Sequence, residues 1–233
     1  MAELLNFVVW LPVAGMLAIA LVPASQENVV RQLTLWLMIV QFVATAVLYV
    51  NFDPSATGLQ FETRVPWIES WGVSYHIGLD GINILLVMLT AFLGPLVVAG
   101  AFSAITKEVK LFYAMVFFIQ FAMMGTFVAQ DLFLFYVFWE TMLIPMFLII
   151  GIWGGQRRIY ATIKFFLYTA FGSILMLAAL IYLVWSLQNA TGQLSFAFAD
   201  LYKVRLPVST QTLLLGAFAL SFAIKVPMFP LHT

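Results

Sequence analysis

Long apolar stretches separated by short polar segments run along the whole chain. A membrane-spanning helix needs about 20 mostly apolar residues, and seven stretches approach or exceed that length. They lack the strict apolar–polar alternation of barrel strands, so they predict helices. The predicted spans are residues 4–22, 28–50, 80–105, 110–128, 132–152, 159–187 and 210–230.

The two longest polar connections carry predicted structure of their own. Residues 51–79 contain Trp67 and Trp71, which suit a membrane interface. Alternation in LQFETRVPW and VSYHIG predicts a small hairpin in this connection. Asp80 follows where a helix N-cap is expected. Residues 189–207 predict a polar connection with a short surface helix around FAFADLY.

Composition supports an all-α polytopic membrane protein. The chain is 64% hydrophobic and 9% charged, whereas a soluble domain carries about 25% charged residues. Its zero net charge gives no reason to expect a nucleic-acid partner. With no cysteine, two distant histidines and no glycine-rich phosphate loop, the sequence predicts neither a metal site nor a cofactor site in this chain.

The distribution of Lys and Arg predicts the orientation, because these residues are enriched in short cytoplasmic loops. With the N-terminus outside, the inside loops hold five of them and the outside loops three. We therefore expect the N-terminus to lie outside. The inside set is Arg31, Lys107, Lys110, Arg157 and Arg158, and the outside set is Arg64, Lys203 and Arg205.

Three charged residues fall inside apolar runs: Glu140, Lys164 and Lys225. Helical rise places Glu140 about 13 Å and Lys225 about 18 Å into their spans, near the middle of a hydrocarbon core about 30 Å thick. Each lone charge there costs about 3 kcal/mol. We expect these side chains to pair with one another or to line water within the helix bundle.

Lys164 has a simpler interpretation than the other two. It lies about 10 Å from the inner end of its span, so its long stem allows the ammonium to reach the surface. Glu140 has a short stem, and Lys225 is followed by helix breakers. A functional interpretation is therefore favoured for Glu140 and Lys225.

Prolines interrupt the seventh predicted helix directly after Lys225. Pro227 lacks a backbone donor and clashes with the carbonyl four residues earlier, and Pro230 repeats the effect. Transporters place ion sites at such breaks. A carboxylate at Glu140 that approaches and leaves Lys225 would act as a proton switch. His232 either relays a proton or caps free carbonyls.

The spans also contain three amides, Gln41, Asn83 and Gln120. Amides inside a membrane commonly join helices by hydrogen bonds. We expect that role for all three.

Three segments resemble the antiporter-like subunits of respiratory NADH-quinone oxidoreductase, Complex I. They are GLDGINILLVMLT at 78–90, the stretch from DLFLFYVFWE to FFLYT at 131–169, and FAIKVPMFPLHT at 222–233. The resemblance implies a fold of about fourteen helices containing two inverted five-helix repeats. Residues 1–109 would then be an N-terminal three-helix region with the outside loop 51–79, and residues 110–233 an incomplete first repeat.

The resemblance also implies roles for individual residues and partners. Glu140 matches the essential glutamate of the fifth helix, Lys225 the proton-carrying lysine at the break of the seventh, and Lys164 a basic position in the sixth. The chain itself would bind no redox cofactor, because NADH, FMN, iron–sulfur clusters and quinone are bound by partner subunits. Its partners would be other membrane-arm subunits, and its location the bacterial inner membrane.

Family members continue beyond the position of Thr233 with a second repeat, so the resemblance implies a fragment that is not expected to form a working channel alone. Other functions remain open. A multisubunit sodium/proton antiporter or a membrane-bound hydrogenase would use the same fold. A non-transporting scaffold would tolerate apolar residues at Glu140 and Lys225.

Overall fold

The computed structural model describes residues 1–231. Within them, seven helical spans are long and apolar enough to cross a membrane. The predicted all-α, seven-span membrane fold is therefore confirmed. The elements are α1 Ala2–Leu21, α2 Glu27–Val50, β1 Gln60–Ile68, β2 Val73–Leu79, α3 Asn83–Ala104, α4 Val109–Val128, α5 Leu132–Thr141, α6 Leu143–Trp153, α7 Arg158–Thr191, α8 Phe198–Leu201 and α9 Val208–Lys225.

The fifth span differs from its prediction as one continuous helix. It consists of α5 and α6, which are separated at Met142. Pro145 accounts for the interruption, because it has no N–H to donate and its ring crowds the carbonyl of Thr141. The predicted span 132–152 is confirmed as one segment, Leu132–Trp153, with a local break at Met142.

The last two spans differ from prediction in length. α7 has 34 residues, equivalent to about 51 Å, and extends well beyond the hydrocarbon core. α9 ends at Lys225, five residues before the end of the predicted span at 230. It ends there because Pro227 cannot continue the helical hydrogen bonding.

The predicted hairpin is present as the antiparallel pair β1–β2. It is fastened to α1 by a chain of hydrogen bonds: Trp10 Nε1 donates to Tyr75 Oη (3.1 Å), and Tyr75 Oη donates to Asn6 Oδ1 (2.9 Å). Asn6 Nδ2 in turn donates to Thr63 Oγ1 in β1 (2.8 Å). Burial raises the pKa of the Tyr75 phenol, so the hydroxyl stays protonated at neutral pH and can donate.

Residues 129–131, which join α4 to α5, are extended and lie between two other segments. Gln130 N donates to His76 O (2.8 Å) on one side, and Phe198 N donates to Gln130 O (3.1 Å) on the other. Residues 129–131 therefore join the hairpin to the connection that carries the predicted short helix, α8, at one end of the molecule.

Side chains also join the connections at the opposite end. Lys110 Nζ donates to the carbonyls of Ala20 and Val22 (both 2.7 Å), and Arg31 donates to Ile105 O (3.0 Å). The connections 22–26 and 105–108 therefore pack together at the end opposite the hairpin.

Buried amides link the first four helices. Gln120 Nε2 of α4 donates to Gln41 Oε1 of α2 and to Thr90 O of α3 (both 3.1 Å), while Gln41 Nε2 donates to Val8 O of α1 (2.8 Å). Interhelical bonding is thus confirmed for Gln41 and Gln120.

Asn83 differs, because its side chain bonds locally. Its Nδ2 donates to Gly78 O (3.0 Å) and its Oδ1 accepts from Asp80 N (2.7 Å). Asp80 Oδ1 accepts from the N–H groups of Ile82 and Asn83 (both 2.8 Å) in the turn before α3. The N-cap residue of α3 is Ile82, so the predicted N-cap position at Asp80 was two residues early. An interhelical role was wrong for Asn83.

Candidate functional site

Lys225 is the last residue of α9, and its ammonium group lies against α5. The Nζ atom lies 4.1 Å from the centroid of the Trp139 ring. It also donates a hydrogen bond of 2.5 Å to the main-chain carbonyl of Trp139. The lysine is therefore held by one residue through two neutral groups, a ring face and a carbonyl oxygen.

Glu140 follows Trp139 directly and lines an open groove of about 430 Å³. Its Oε1 atom is buried and has no hydrogen-bond partner in the described part of the chain. The groove is lined by Phe133, Tyr136, Val137, Glu140, Thr141, Ile144 and Leu177.

Glu140 and Lys225 lie close together without forming an ion pair. Among residues 1–231, the pairs within 4.0 Å are Arg31–Glu27, His76–Glu62 and Lys203–Asp200. The ammonium group of Lys225 instead contacts Trp139, the residue directly before Glu140.

Both charged residues adjoin an interruption of regular helix. Glu140 lies two residues before Met142, where α5 gives way to α6. At the end of α9, Val226 N still makes a helical bond to Phe222 O (2.8 Å), whereas Met228 N donates to Ala223 O five residues earlier (2.9 Å), so the backbone turns out of the helix after Val226. Irregular backbone at membrane depth is tolerated only where protein or water satisfies its polar groups.

Aromatic packing fixes the orientation of the Trp139 ring. Phe135 stacks on it with centroids 5.7 Å apart, and Phe222 meets it edge-on at 5.3 Å. Phe222 and Lys225 are three residues apart and share one face of α9. That face of α9 therefore packs its aromatic ring and its ammonium group on the same indole.

The remaining candidate residues do not join this site. Lys164 lies on an exposed face of α7 and forms no ion pair with the carboxylates of residues 1–231. Pro227 and Pro230 lie in the exposed turns after α9. His232 lies outside the described residues. In that described part, no three His, Asp or Glu side chains form a group able to hold a metal ion.

Trp139 was not among the residues singled out from the sequence. It ends the stretch FLFYVFW, in which every residue is apolar or aromatic, which is typical of packing. Its contact with Lys225 joins positions 86 apart in the chain. Only its place directly before an intramembrane glutamate could have drawn attention to it.

Lys225 at the end of α9 lies against the residue before Glu140 on a second interrupted span, as the resemblance to antiporter-like membrane subunits leads one to expect. Residues 129–233 match the model of the family described as NADH:quinone oxidoreductase/Mrp antiporter, transmembrane. This part of the chain matches that family, so the resemblance stated from the motifs is confirmed.

Individual relatives extend the match to the whole chain. The chain is 44% identical over 245 residues to NADH-quinone oxidoreductase subunit M of Rhodobacter capsulatus, covering 100% of this chain and 47% of that protein. It is 36% identical to NADH-ubiquinone oxidoreductase chain 4 of Marchantia polymorpha, covering 98% of this chain and 45% of that protein. The chain thus spans about half the length of the curated relatives it matches.

Solved structures have the same fold. A chain of respiratory complex I from Thermus thermophilus with bound NADH superposes with a TM-score of 0.80 at 30% identity, covering 98% of this chain and 45% of that chain. An archaeal membrane-bound sulfane sulfur reductase complex gives a TM-score of 0.78 at 16% identity, covering 97% and 45%. The second likeness concerns the fold alone.

Proposed function

We propose that the chain is part of a proton-translocating membrane-arm subunit of NADH-quinone oxidoreductase, with Glu140 and Lys225 transferring the proton. The observation that carries this proposal is Lys225 at the end of α9, seated on the residue next to Glu140. Two charges near the middle of a membrane are costly, and such residues commonly mark ion and proton pathways.

The proposed mechanism uses the distance between the two side chains. An approaching Glu140 carboxylate stabilises the ammonium form of Lys225, and its withdrawal favours release of the proton as the lysine becomes a neutral amine. The open groove beside Glu140 offers space for water, through which that proton would leave. The family resemblance also assigns Lys164 of α7 to the proton path, but Lys164 is exposed and lies apart from the Glu140–Lys225 site.

The proposal also places this chain within a larger assembly. Other membrane-arm subunits would be its neighbours in a bacterial inner membrane, with the N-terminus outside. NADH, FMN, iron–sulfur clusters and quinone would bind in partner subunits, whose electron transfer drives the proton movement. Within a longer fold of about fourteen helices, residues 110–233 would be the first part of an inverted repeat.

Substitution of the two charges in the full-length protein tests the proposal. Lys225→Ala, in the complete complex reconstituted into vesicles, should abolish proton uptake driven by NADH oxidation, a loss of at least about tenfold. Glu140→Gln should impair uptake as well, because an amide cannot supply the charge. Uptake is followed with a pH-sensitive dye and divided by the rate of electron transfer to an artificial acceptor.

Lys203→Ala is the matched control, since Lys203 is exposed in the polar connection before α9 and, within residues 1–231, has Asp200 as its one ion-pair partner. It should pump protons like the unmodified complex. Normal pumping by Lys225→Ala would refute the proton-carrier role, and normal pumping by Glu140→Gln would return that residue to a structural role.

The matched family model also names Mrp antiporters, so a sodium/proton antiporter subunit is the second candidate. It predicts that a sodium gradient alone, without NADH, drives proton movement through the parent assembly. A membrane-arm subunit of NADH-quinone oxidoreductase predicts no such movement.

A further inference from the structure

Trp139 contacts the proposed proton carrier with two different groups. Its indole face lies 4.1 Å from Lys225 Nζ, and its carbonyl oxygen accepts a hydrogen bond from the same atom. Neither group carries a charge, so the ammonium group is held without being neutralised. Among aromatic side chains Trp binds a cation most strongly, and desolvation strengthens the attraction.

We propose that Trp139 is a positioning residue that holds the Lys225 ammonium on α5, one residue before the Glu140 carboxylate, so that the two charges are adjacent but unpaired. This inference rests on the proposed function, because it assigns Trp139 a part in that proton transfer. Lys225 then has two places on α5: the indole and carbonyl of Trp139, and the carboxylate of Glu140.

The surroundings of the indole support a fixed holder. Phe135 stacks on the ring from within α5, and Phe222 packs edge-on from α9, so α5 and α9 both restrict its rotation. The lysine, by contrast, has four flexible stem carbons and a compact ammonium group. The mobile partner is therefore the lysine, and the tryptophan is the fixed one.

In this structure the ammonium group of Lys225 is not paired with the second of these two partners, the carboxylate of Glu140. Glu140 Oε1 is buried and has no hydrogen-bond partner within residues 1–231. A buried carboxylate oxygen without a donor is unfavourable, whereas an ammonium group moving from Trp139 would supply one. The same movement would take Lys225 from the neutral groups of Trp139 to the charged carboxylate of Glu140, which is the change that the proposed proton switch requires.

Stepwise fluorination of Trp139 tests the role of the ring face. Fluorine substituents weaken the negative potential over an aromatic face while the ring keeps nearly the same shape. Mono-, di- and trifluorotryptophan are introduced at position 139 of the full-length protein in its complex. Proton uptake per electron transferred should fall in steps, by about tenfold from tryptophan to trifluorotryptophan.

Trp153 supplies a matched control in the neighbouring helix. Its ring packs edge-on against Phe112, and its Nε1 donates to Lys107 O (2.7 Å). The same fluorinated series at Trp153 should leave proton uptake unchanged. A flat response at Trp139, or equal responses at both positions, would overturn the proposal.

A second measurement separates this inference from the proposed function. Trifluorotryptophan at 139 should speed hydrogen exchange of the α9 segment 213–225 several-fold when Lys225 is present, and not in the Lys225→Ala background. Equal exchange changes in both backgrounds would refute the contact even if Lys225→Ala abolishes pumping. The opposite outcome is an exchange change that depends on Lys225 together with normal pumping by Lys225→Ala. That outcome would support the contact between Trp139 and Lys225. It would refute the proton-carrier role of Lys225 and, with it, the part of Trp139 in proton transfer.

Discussion

Asp131 is fully buried, and its carboxylate accepts four hydrogen bonds. Its Oδ1 atom accepts from the N–H groups of Phe133 (3.0 Å) and Leu134 (3.1 Å), which caps the first turn of α5. Its Oδ2 atom accepts from Ser74 N (3.0 Å) and Ser74 Oγ (3.3 Å) in β2. One carboxylate therefore ties the helix that carries Glu140 to the hairpin.

Asp131→Ala removes both the cap and the partner of a buried backbone N–H. We expect the full-length protein to lose about 2–4 kcal/mol of stability, measured as a lower thermal unfolding temperature in detergent. Asp53→Ala is the control, because Asp53 makes similar bonds to Ser55 but in an exposed loop. A loss no larger than that of Asp53→Ala would show that Asp131 does not anchor the hairpin.

At this scale the sequence predicts charges better than it predicts their contacts. Glu140 and Lys225 stand out because a charge within an apolar run is expensive wherever the chain folds. The partner of Lys225 is an aromatic residue among many, and the contact depends on how α9 packs on α5. That packing follows from tertiary structure, which no local pattern encodes.

Prolines act differently on different helices, which limits prediction at the scale of elements. Pro227 ends α9 and Pro145 separates α5 from α6, whereas Pro12 and Pro95 lie within the continuous helices α1 and α3. The rule that proline removes a donor holds in all these cases. Whether the helix breaks depends on neighbours that re-satisfy the freed carbonyl. The hairpin was predictable from the alternation in its sequence. Its burial was not, because β2 is buried at nearly every position whereas β1 is half-buried or exposed throughout.

The packing of α4 against α5 depends on a glycine. A Cβ atom at Gly125 of α4 would lie 2.3 Å from the ring of Phe138, two residues before Glu140. Gly125→Ala should therefore displace α5, costing about 1–3 kcal/mol of stability and reducing proton uptake of the complex. Gly100→Ala is the control in α3, because a Cβ there has open space around it. Unchanged stability and uptake in Gly125→Ala would show that the ring moves aside freely.

The whole molecule has two distinct ends. The hairpin, the 129–131 link and the segment around α8 meet at one end. The opposite end carries a cluster of cations bonded to loop carbonyls, including Lys110 and Arg31. Which end faces the cytoplasm follows only from the counting of Lys and Arg in loops, so the outside position of the N-terminus stays a prediction.

Cysteine labelling decides that orientation, and residues 1–233 contain no cysteine of their own. Ser55→Cys places a thiol in the exposed loop at the hairpin end, and Gly155→Cys places one in the exposed connection at the opposite end. In spheroplasts with a sealed inner membrane, a membrane-impermeant maleimide should label Ser55→Cys. It should label Gly155→Cys only after the membrane is permeabilised. The positive residues cluster at the end carrying Gly155, which is why we expect that end to be retained inside. The reverse labelling pattern would place the hairpin inside and overturn the predicted topology of every span.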